Sequence, residues 1–104
     1  MLLDKTTALE HAYAYAQLVG KEFYPCTIML FGSYAKGGWT EYSDIDIAVI
    51  VDKINDDFLD ISKKLNRLTR SIDNRIEPVL LQQGDDRSGF LSSILDSGIT
   101  LFHN

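Results

Sequence analysis

The sequence predicts a small α/β domain of the α+β type, in which helices cover a small mixed β-sheet. Segments with helical periodicity alternate along the chain with short runs of β-branched and aromatic residues. Hydrophobic residues make up 45% of the chain and charged residues 24%, which is typical of a folded globular protein. A length of 104 residues leaves room for one hydrophobic core, so we expect residues 1–104 to form a single domain.

The first two elements are predicted to be a helix and a buried strand. A helix over residues 4–20 would have Thr7 and Glu10 as a capping box and would end at Gly20. Pro25 then marks the entry into a strand over residues 26–31, where Cys26 is expected to be a small buried hydrophobe. The apolar positions of the helix follow the i, i+3, i+4 spacing: Ala8, Leu9, Ala12, Tyr13, Ala16 and Val19.

The middle of the chain predicts a short helical turn, a second strand and a long helix. Residues 33–36 would form the turn before a glycine-rich loop, and residues 45–51 the strand. The apolar spacing from Phe58 to Ile72 predicts an amphipathic helix over residues 56–72. Acidic residues near its start and basic residues near its end suit the helix dipole: Asp56 and Asp57, then Arg67 and Arg70.

The last third of the chain predicts a third strand and a short helix. Residues 75–81 read as a strand that Pro78 places at a sheet edge or at an irregularity. A short helix from Phe90 to Leu95 would end at Gly98. Residues 99–102 then form either a final strand or an extended tail.

Charge and composition exclude several classes of function. A formal net charge of −5 argues against binding to long nucleic acid, which requires many lysines and arginines on phosphates. The first ten residues contain no uninterrupted apolar stretch, so the chain is predicted to be cytoplasmic, with no membrane partner. Because Cys26 is the only cysteine, an internal disulfide is impossible.

Two aspartates at the start of the second strand are the strongest candidates for a functional site. Asp44 and Asp46 are two positions apart, so in a strand their side chains point the same way. Like charges held that close repel each other, and a divalent cation such as Mg²⁺ relieves the repulsion. The alternative is a turn residue followed by a solvated acid.

Glu77 is predicted to be the third carboxylate of this site. It is the only acidic residue within another predicted strand, and a neighbouring strand could place it beside the aspartates. Three carboxylates suit two Mg²⁺ ions, an arrangement that supports in-line displacement at phosphorus, and Glu77 could also act as general base. The alternative for Glu77 is an exposed edge-strand acid that opposes aggregation.

The Gly32–Ser33 turn is predicted to bind phosphate. It lies between a strand and a helical turn, where backbone N–H groups and one hydroxyl can face the phosphates of a nucleotide. Glycine allows phosphates to approach the backbone closely. Ser33 could also cap the short helix, because capping and phosphate binding use the same geometry and are compatible.

The stretch from Phe31-Gly32-Ser33 to Ser43-Asp44-Ile45-Asp46 resembles the signature of the DNA polymerase beta-like nucleotidyltransferase superfamily, and in particular its minimal members. The resemblance implies the nucleotidyltransferase fold and the transfer of a nucleoside monophosphate from a nucleoside triphosphate to an acceptor hydroxyl. It favours ATP as the donor, so that the transferred group is AMP. It implies that Gly32, Ser33 and Ser43 bind the nucleotide and that Asp44, Asp46 and Glu77 bind two Mg²⁺ ions.

The resemblance also implies a partner. Minimal members are often partners of small helical HEPN proteins in toxin–antitoxin pairs, where they neutralise the HEPN toxin, in some cases by adding AMP to its tyrosine. An antitoxin that neutralises its partner by contact alone, with weak or no catalysis, remains the alternative function, and modification of tRNA or antibiotics is a third. Contact and catalysis differ in one observable, because only catalysis depends on the two aspartates.

Two departures from the family pattern bear on the site. Tyr34 and Lys36 stand where many minimal members have arginine, and the third acid is glutamate where aspartate is common. Tyr34, Trp39 and Tyr42 could stack on a base or contact a partner, or they could cover the edge of the core. His11 and His103 have no partner in the sequence and are expected to be structural or solvated.

Overall fold

The computed structural model describes residues 5–23, 26–40, 43–54, 57–86 and 88–103. The order and type of the elements match the sequence prediction, and the segment after Gly98 is a strand. Four helices and four strands follow one another along these ranges: α1 Lys5–Glu22, β1 Cys26–Phe31, α2 Ser33–Lys36, β2 Ile45–Val51, α3 Phe58–Thr69, β3 Ile76–Gln82, α4 Phe90–Ser97 and β4 Ile99–His103.

The four strands form one mixed sheet in the order β3-β2-β1-β4. β1 is antiparallel to both β2 and β4, while β2 and β3 run parallel. The parallel pair requires a crossover, which α3 supplies. β3 is an edge strand, as Pro78 predicted. Proline has no N–H group to donate to a neighbouring strand, and an edge strand tolerates this loss. The predicted small mixed sheet is confirmed.

The two faces of the sheet are covered by different helices, and the alternation along β2 decides which side chain meets which helix. Ile45, Ile47 and Val49 belong to the larger core, which contains residues of α1 and α3. Ala48 and Ile50 belong to a smaller core with residues of α4. Since Asp46 has the same parity as Ala48, its carboxylate lies on the α4 face of the sheet.

The N-terminal helix continues past Gly20 to Glu22, so the predicted end at Gly20 is wrong. The glycine serves packing: a Cβ atom there would lie 2.6 to 2.8 Å from three ring atoms of Phe102 on β4. The predicted capping box is also wrong, because the helix already includes Lys5 and therefore contains Thr7 and Glu10 in its interior. Cys26 is buried, as expected, and burial raises the pKa of its thiol.

Replacing this glycine tests the packing role. Gly20→Ala is expected to lower the free energy of unfolding by about 1 kcal/mol in chemical denaturation. Overpacking against Phe102 costs about 1–3 kcal/mol, which exceeds the gain of about 1 kcal/mol in helix propensity. In a Phe102→Leu background, where the ring is absent, the same change should be stabilising. Stabilisation by Gly20→Ala in the natural background would contradict this account.

The third helix is shorter than predicted, Phe58–Thr69 against 56–72, because a side chain caps its start and a backbone turn ends it. The Asp57 carboxylate caps the helix by accepting hydrogen bonds from the N–H groups of Leu59 (2.8 Å) and Asp60 (3.4 Å). After Thr69 the chain turns, and the N–H of Ile72 donates to the Thr69 carbonyl (3.0 Å). Asp56 lies outside the described residues.

A buried tyrosine ties the two helices of the larger core together. The Tyr15 hydroxyl donates to the Leu65 carbonyl at 2.7 Å, and burial raises the pKa of Tyr15.

Within the described ranges, no helix combines the length and the apolar character that crossing a membrane requires.

Candidate functional site

Three side chains form a row across the sheet on its α4 face. Asp46 of β2 is the register partner of Phe31 on β1 and of Glu77 on β3. Register partners on neighbouring strands project to the same face, so the row reads Phe31, Asp46, Glu77. The structure therefore brings Glu77 beside Asp46, as the sequence predicted, and places an aromatic residue on the other side.

The central carboxylate of the row lies in an environment that opposes its charge. The pKa of Asp46 is raised, first because it is partly buried and then because of the negative charges of Asp44 and Glu77. Asp44 is exposed and directly precedes β2. The two acids that the sequence predicted beside Asp46, Asp44 and Glu77, are thus the two charges that raise its pKa. The electrostatic repulsion expected from the sequence is present in the structure.

The donor set suits a divalent cation without forming a closed cage. Asp44 and Glu77 are exposed, and within the described part of the chain no three His, Cys, Asp or Glu side chains are gathered into a ready ligand group. Mg²⁺ prefers carboxylate oxygens together with waters and substrate phosphates, so these residues fit it.

Gly32 brings the backbone of the β1–α2 turn against the Asp46 carboxylate. A Cβ atom at Gly32 would lie 2.2 Å from Oδ2 of Asp46. The backbone angles of Gly32, φ 74° and ψ −151°, also lie in a region that is essentially restricted to glycine. Two independent constraints therefore require glycine at this position, and both keep the turn next to the central acid.

Ser33 and Ser43 take different places beside this turn. Ser33 is the first residue of α2, and the N-cap is Gly32 without a side-chain hydrogen bond, so the interpretation of Ser33 as a helix cap is wrong. Ser43 closes the loop before β2: its Oγ accepts from the N–H of Thr40 at 2.8 Å, and its own N–H donates to the Thr40 carbonyl at 3.0 Å. These two hydrogen bonds link Ser43, the residue before Asp44, to Thr40.

The loop aromatics contribute to the core. Tyr34 is fully buried and stacks on Trp39, with ring centroids 5.7 Å apart and 10° between the ring planes. Its hydroxyl donates to the Thr40 carbonyl at 3.5 Å. Of the two interpretations of these residues, covering the edge of the core therefore holds for Tyr34 and Trp39, while Tyr42 lies outside the described residues.

A chain of contacts that the sequence did not predict anchors the strand ends that carry the acids. His11 Nδ1 of α1 lies 2.8 Å from Oδ2 of Asp73, and Oδ1 of Asp73 accepts from the N–H of Arg75 at 2.8 Å. The Arg75 carbonyl accepts from the N–H of Ile45 at 2.9 Å. This chain fixes the start of β2 to the start of β3, and hence Asp46 beside Glu77.

The other histidine, His103, lies with Nδ1 2.8 Å from the Thr27 hydroxyl at the far end of the sheet. Each histidine thus has a hydrogen-bonding partner away from the row of acids, which is compatible with the expected structural or solvated role. Neither pairing has a signal in the sequence, since the partners in each are more than sixty residues apart.

Comparison with known proteins agrees with the geometry. The model of the family described as "Polymerase beta, Nucleotidyltransferase" matches residues 16–104. A protein of Methanocaldococcus jannaschii named "Putative protein adenylyltransferase" is 53% identical over 38 residues, a match that covers 36% of this chain and 38% of that protein. The chain therefore matches less than half the length of this relative.

Solved structures show the same fold. A crystal structure from Sulfolobus solfataricus, described as that of a "putative nucleotidyltransferase", superposes with a TM-score of 0.71 at 19% identity, covering 96% of this chain and 84% of that one. A toxin-antitoxin structure with AMP-PNP gives a TM-score of 0.66 at 22% identity, covering 88% and 73% of the two chains.

Proposed function

Because the chain belongs to the polymerase beta nucleotidyltransferase family, we propose that it transfers AMP from ATP to an acceptor hydroxyl. The observation that carries the proposal is the row of Asp46 and Glu77 in register, with Gly32 packed against the Asp46 carboxylate. The name of the Methanocaldococcus jannaschii relative and the AMP-PNP in the toxin-antitoxin structure support adenosine as the nucleoside.

Asp44, Asp46 and Glu77 would hold Mg²⁺, which when bound supplies electrostatic stabilisation of the charge that develops on the phosphates. Gly32, Ser33 and Ser43 would orient the triphosphate next to Asp46. The acceptor oxygen forms a bond to the α-phosphorus while the bond to the pyrophosphate oxygen breaks. Glu77, at the outer end of the row, takes the proton of the acceptor hydroxyl.

The acceptor in this proposal is a tyrosine of a small helical HEPN-type toxin. Support comes from the toxin-antitoxin structure that shares the fold and from the resemblance of the Gly32 to Asp46 stretch to minimal family members. The exposed position of Glu77 on an edge strand suits a protein acceptor, because a large partner can reach that side of the sheet without entering a cleft.

Loss of one exposed carboxylate tests the reaction. Asp44→Asn is expected to lower Mg²⁺-dependent transfer of label from α-³²P-ATP to the protein encoded beside this one by about 100-fold, because a ligand for the cation is lost. Label in the γ position should not be transferred, and EDTA should abolish the signal. Asp52→Asn is the matched control, since Asp52 is also exposed and follows the opposite end of β2.

The same pair of variants separates catalysis from contact. If Asp44→Asn loses transfer and also loses neutralisation of the partner, the chemistry is required. Full neutralisation by Asp44→Asn would favour an antitoxin that acts by contact. Equal transfer activity in Asp44→Asn and the unaltered protein would refute the proposed reaction.

A further inference from the structure

An aromatic pair borders the row of acids on the side away from Glu77. Phe31 occupies the β1 end of the row, and its ring meets that of Phe90 on α4 edge to face, with centroids 5.5 Å apart and an interplanar angle of 84°. Phe90 is nevertheless 41% exposed. An aromatic ring that is partly open to solvent thus rests on Phe31, the neighbour of Asp46 in the row.

The helix that carries Phe90 is held firmly on the sheet. Leu91 and Ile94 are buried in the smaller core, and the Asp86 carboxylate accepts hydrogen bonds from the N–H groups of Leu91 (2.8 Å) and Ser92 (3.0 Å) and from the Ser92 hydroxyl. These hydrogen bonds, first of all the one from the Ser92 hydroxyl, lower the pKa of Asp86. Phe90 is therefore presented by a preorganised first turn.

We propose that the exposed ring of Phe90, supported by Phe31, is the surface on which the base of the donor nucleotide stacks. This inference rests on the proposed function. Asp46 lies between Phe31 on β1 and Glu77 on β3. If a donor phosphate is held at Asp46 and the acceptor hydroxyl lies at Glu77, the rest of the donor nucleotide extends toward Phe31. The base is the flat, uncharged part of the donor, and it gains free energy by stacking on an aromatic ring.

Four other large hydrophobic side chains are exposed in the described part of the chain: Tyr13, Phe58, Leu59 and Leu95. Tyr13 is on α1, which packs on the other face of the sheet. Leu95 is on the same helix as Phe90, but it lies five positions from Phe90 and therefore on the opposite flank of the buried Leu91 and Ile94. Phe58 and Leu59 begin α3, which packs on the other face of the sheet. Of these residues, Phe90 is the one whose ring pairs with a member of the row, Phe31.

The test compares two ligands that share the phosphates but differ in the base. Binding of AMP-PNP and of inorganic tripolyphosphate, each with Mg²⁺, is measured by titration calorimetry. Phe90→Ala is expected to weaken AMP-PNP binding by about tenfold, or about 1.4 kcal/mol, because the base loses the ring on which it stacks. Tripolyphosphate binding should change less than about twofold, and Phe90→Trp should retain the affinity for AMP-PNP.

Leu95→Ala is the matched control, because it removes an exposed apolar side chain from the same helix and should leave both affinities unchanged. Thermal unfolding of each variant is recorded, and if Phe90→Ala does not fold, Phe90→Leu takes its place as an apolar side chain without an aromatic face. Equal weakening of both ligands, or unchanged AMP-PNP binding, would overturn the inference. Failure of the unaltered protein to bind either ligand would instead overturn the proposed function.

Discussion

Asp46→Asn is expected to reduce nucleotidyl transfer by at least about 1,000-fold while making the metal-free protein more stable. The carboxylate is the central member of the row, so its loss removes the group closest to both the turn and Glu77. The amide has nearly the same shape and carries no charge. A mutation that abolishes activity and raises the thermal midpoint separates a functional residue from a structural one.

The sign of the stability effect follows from the pKa. Folding raises the pKa of Asp46 through burial and through the charges of Asp44 and Glu77. The folded state therefore favours the protonated carboxyl, and this favourable contribution is present below about pH 4, the ordinary aspartate pKa, and is lost as pH rises through the raised value. At neutral pH the ionised group is destabilising, and asparagine removes that penalty.

Thermal unfolding with and without Mg²⁺ measures both parts. In EDTA at neutral pH, the midpoint of Asp46→Asn should exceed that of the unaltered protein by a few degrees, since about 1 kcal/mol corresponds to roughly 4–8 °C in a domain of this size. Mg²⁺ should raise the midpoint of the unaltered protein and have little effect on the variant. A lower midpoint for Asp46→Asn in EDTA would contradict the electrostatic account.

Gly32→Ala is expected to lower both stability and activity. The backbone angles φ 74° and ψ −151° cost about 1–3 kcal/mol for any residue with a Cβ atom. The new Cβ would lie 2.2 Å from Oδ2 of Asp46, so the carboxylate must rotate away from the turn. We expect the free energy of unfolding to fall by about 2–3 kcal/mol and transfer activity to fall by about 100-fold.

Gly37 offers a matched control for this change. Its φ is +91°, but an added Cβ atom would meet nothing within 4 Å. Gly37→Ala should therefore lose about 1 kcal/mol of stability through backbone strain alone and keep most of its activity. Chemical denaturation and the labelled-ATP assay report the two quantities. Equal activity losses in the two variants would show that contact with Asp46 is not what matters at Gly32.

Local patterns were sufficient for the elements around the site. Gly32 marks the turn between β1 and α2. The apolar runs over residues 26–31 and 45–51 have the lengths of the two strands, β1 and β2. The placement of Glu77 beside Asp46 followed from a single acid within an apolar strand, because few strand orders in so small a sheet keep those strands apart.

Features that depend on distant contacts were not predictable. Gly20 looked like a helix end, yet its neighbour is the ring of Phe102 on the last strand. The link between His11 and Asp73 joins residues that have no common motif. The sequence also did not predict that α4 covers the same face of the sheet as Asp46 and Glu77. The apolar pattern from Phe90 to Leu95 predicts a helix but does not specify which face of the sheet it covers.

The parallel pairing of β2 with β3 has a consequence for the order of folding events. β1 and β2 can meet through a connection of 13 residues, whereas β3 must wait until α3 has crossed the sheet. Contacts between distant segments form late because loop closure costs entropy before the contacts are made. Glu77 is therefore expected to join Asp46 only after β1 and β2 have paired, so the row of acids is completed later than the turn and the strand that carry Asp46.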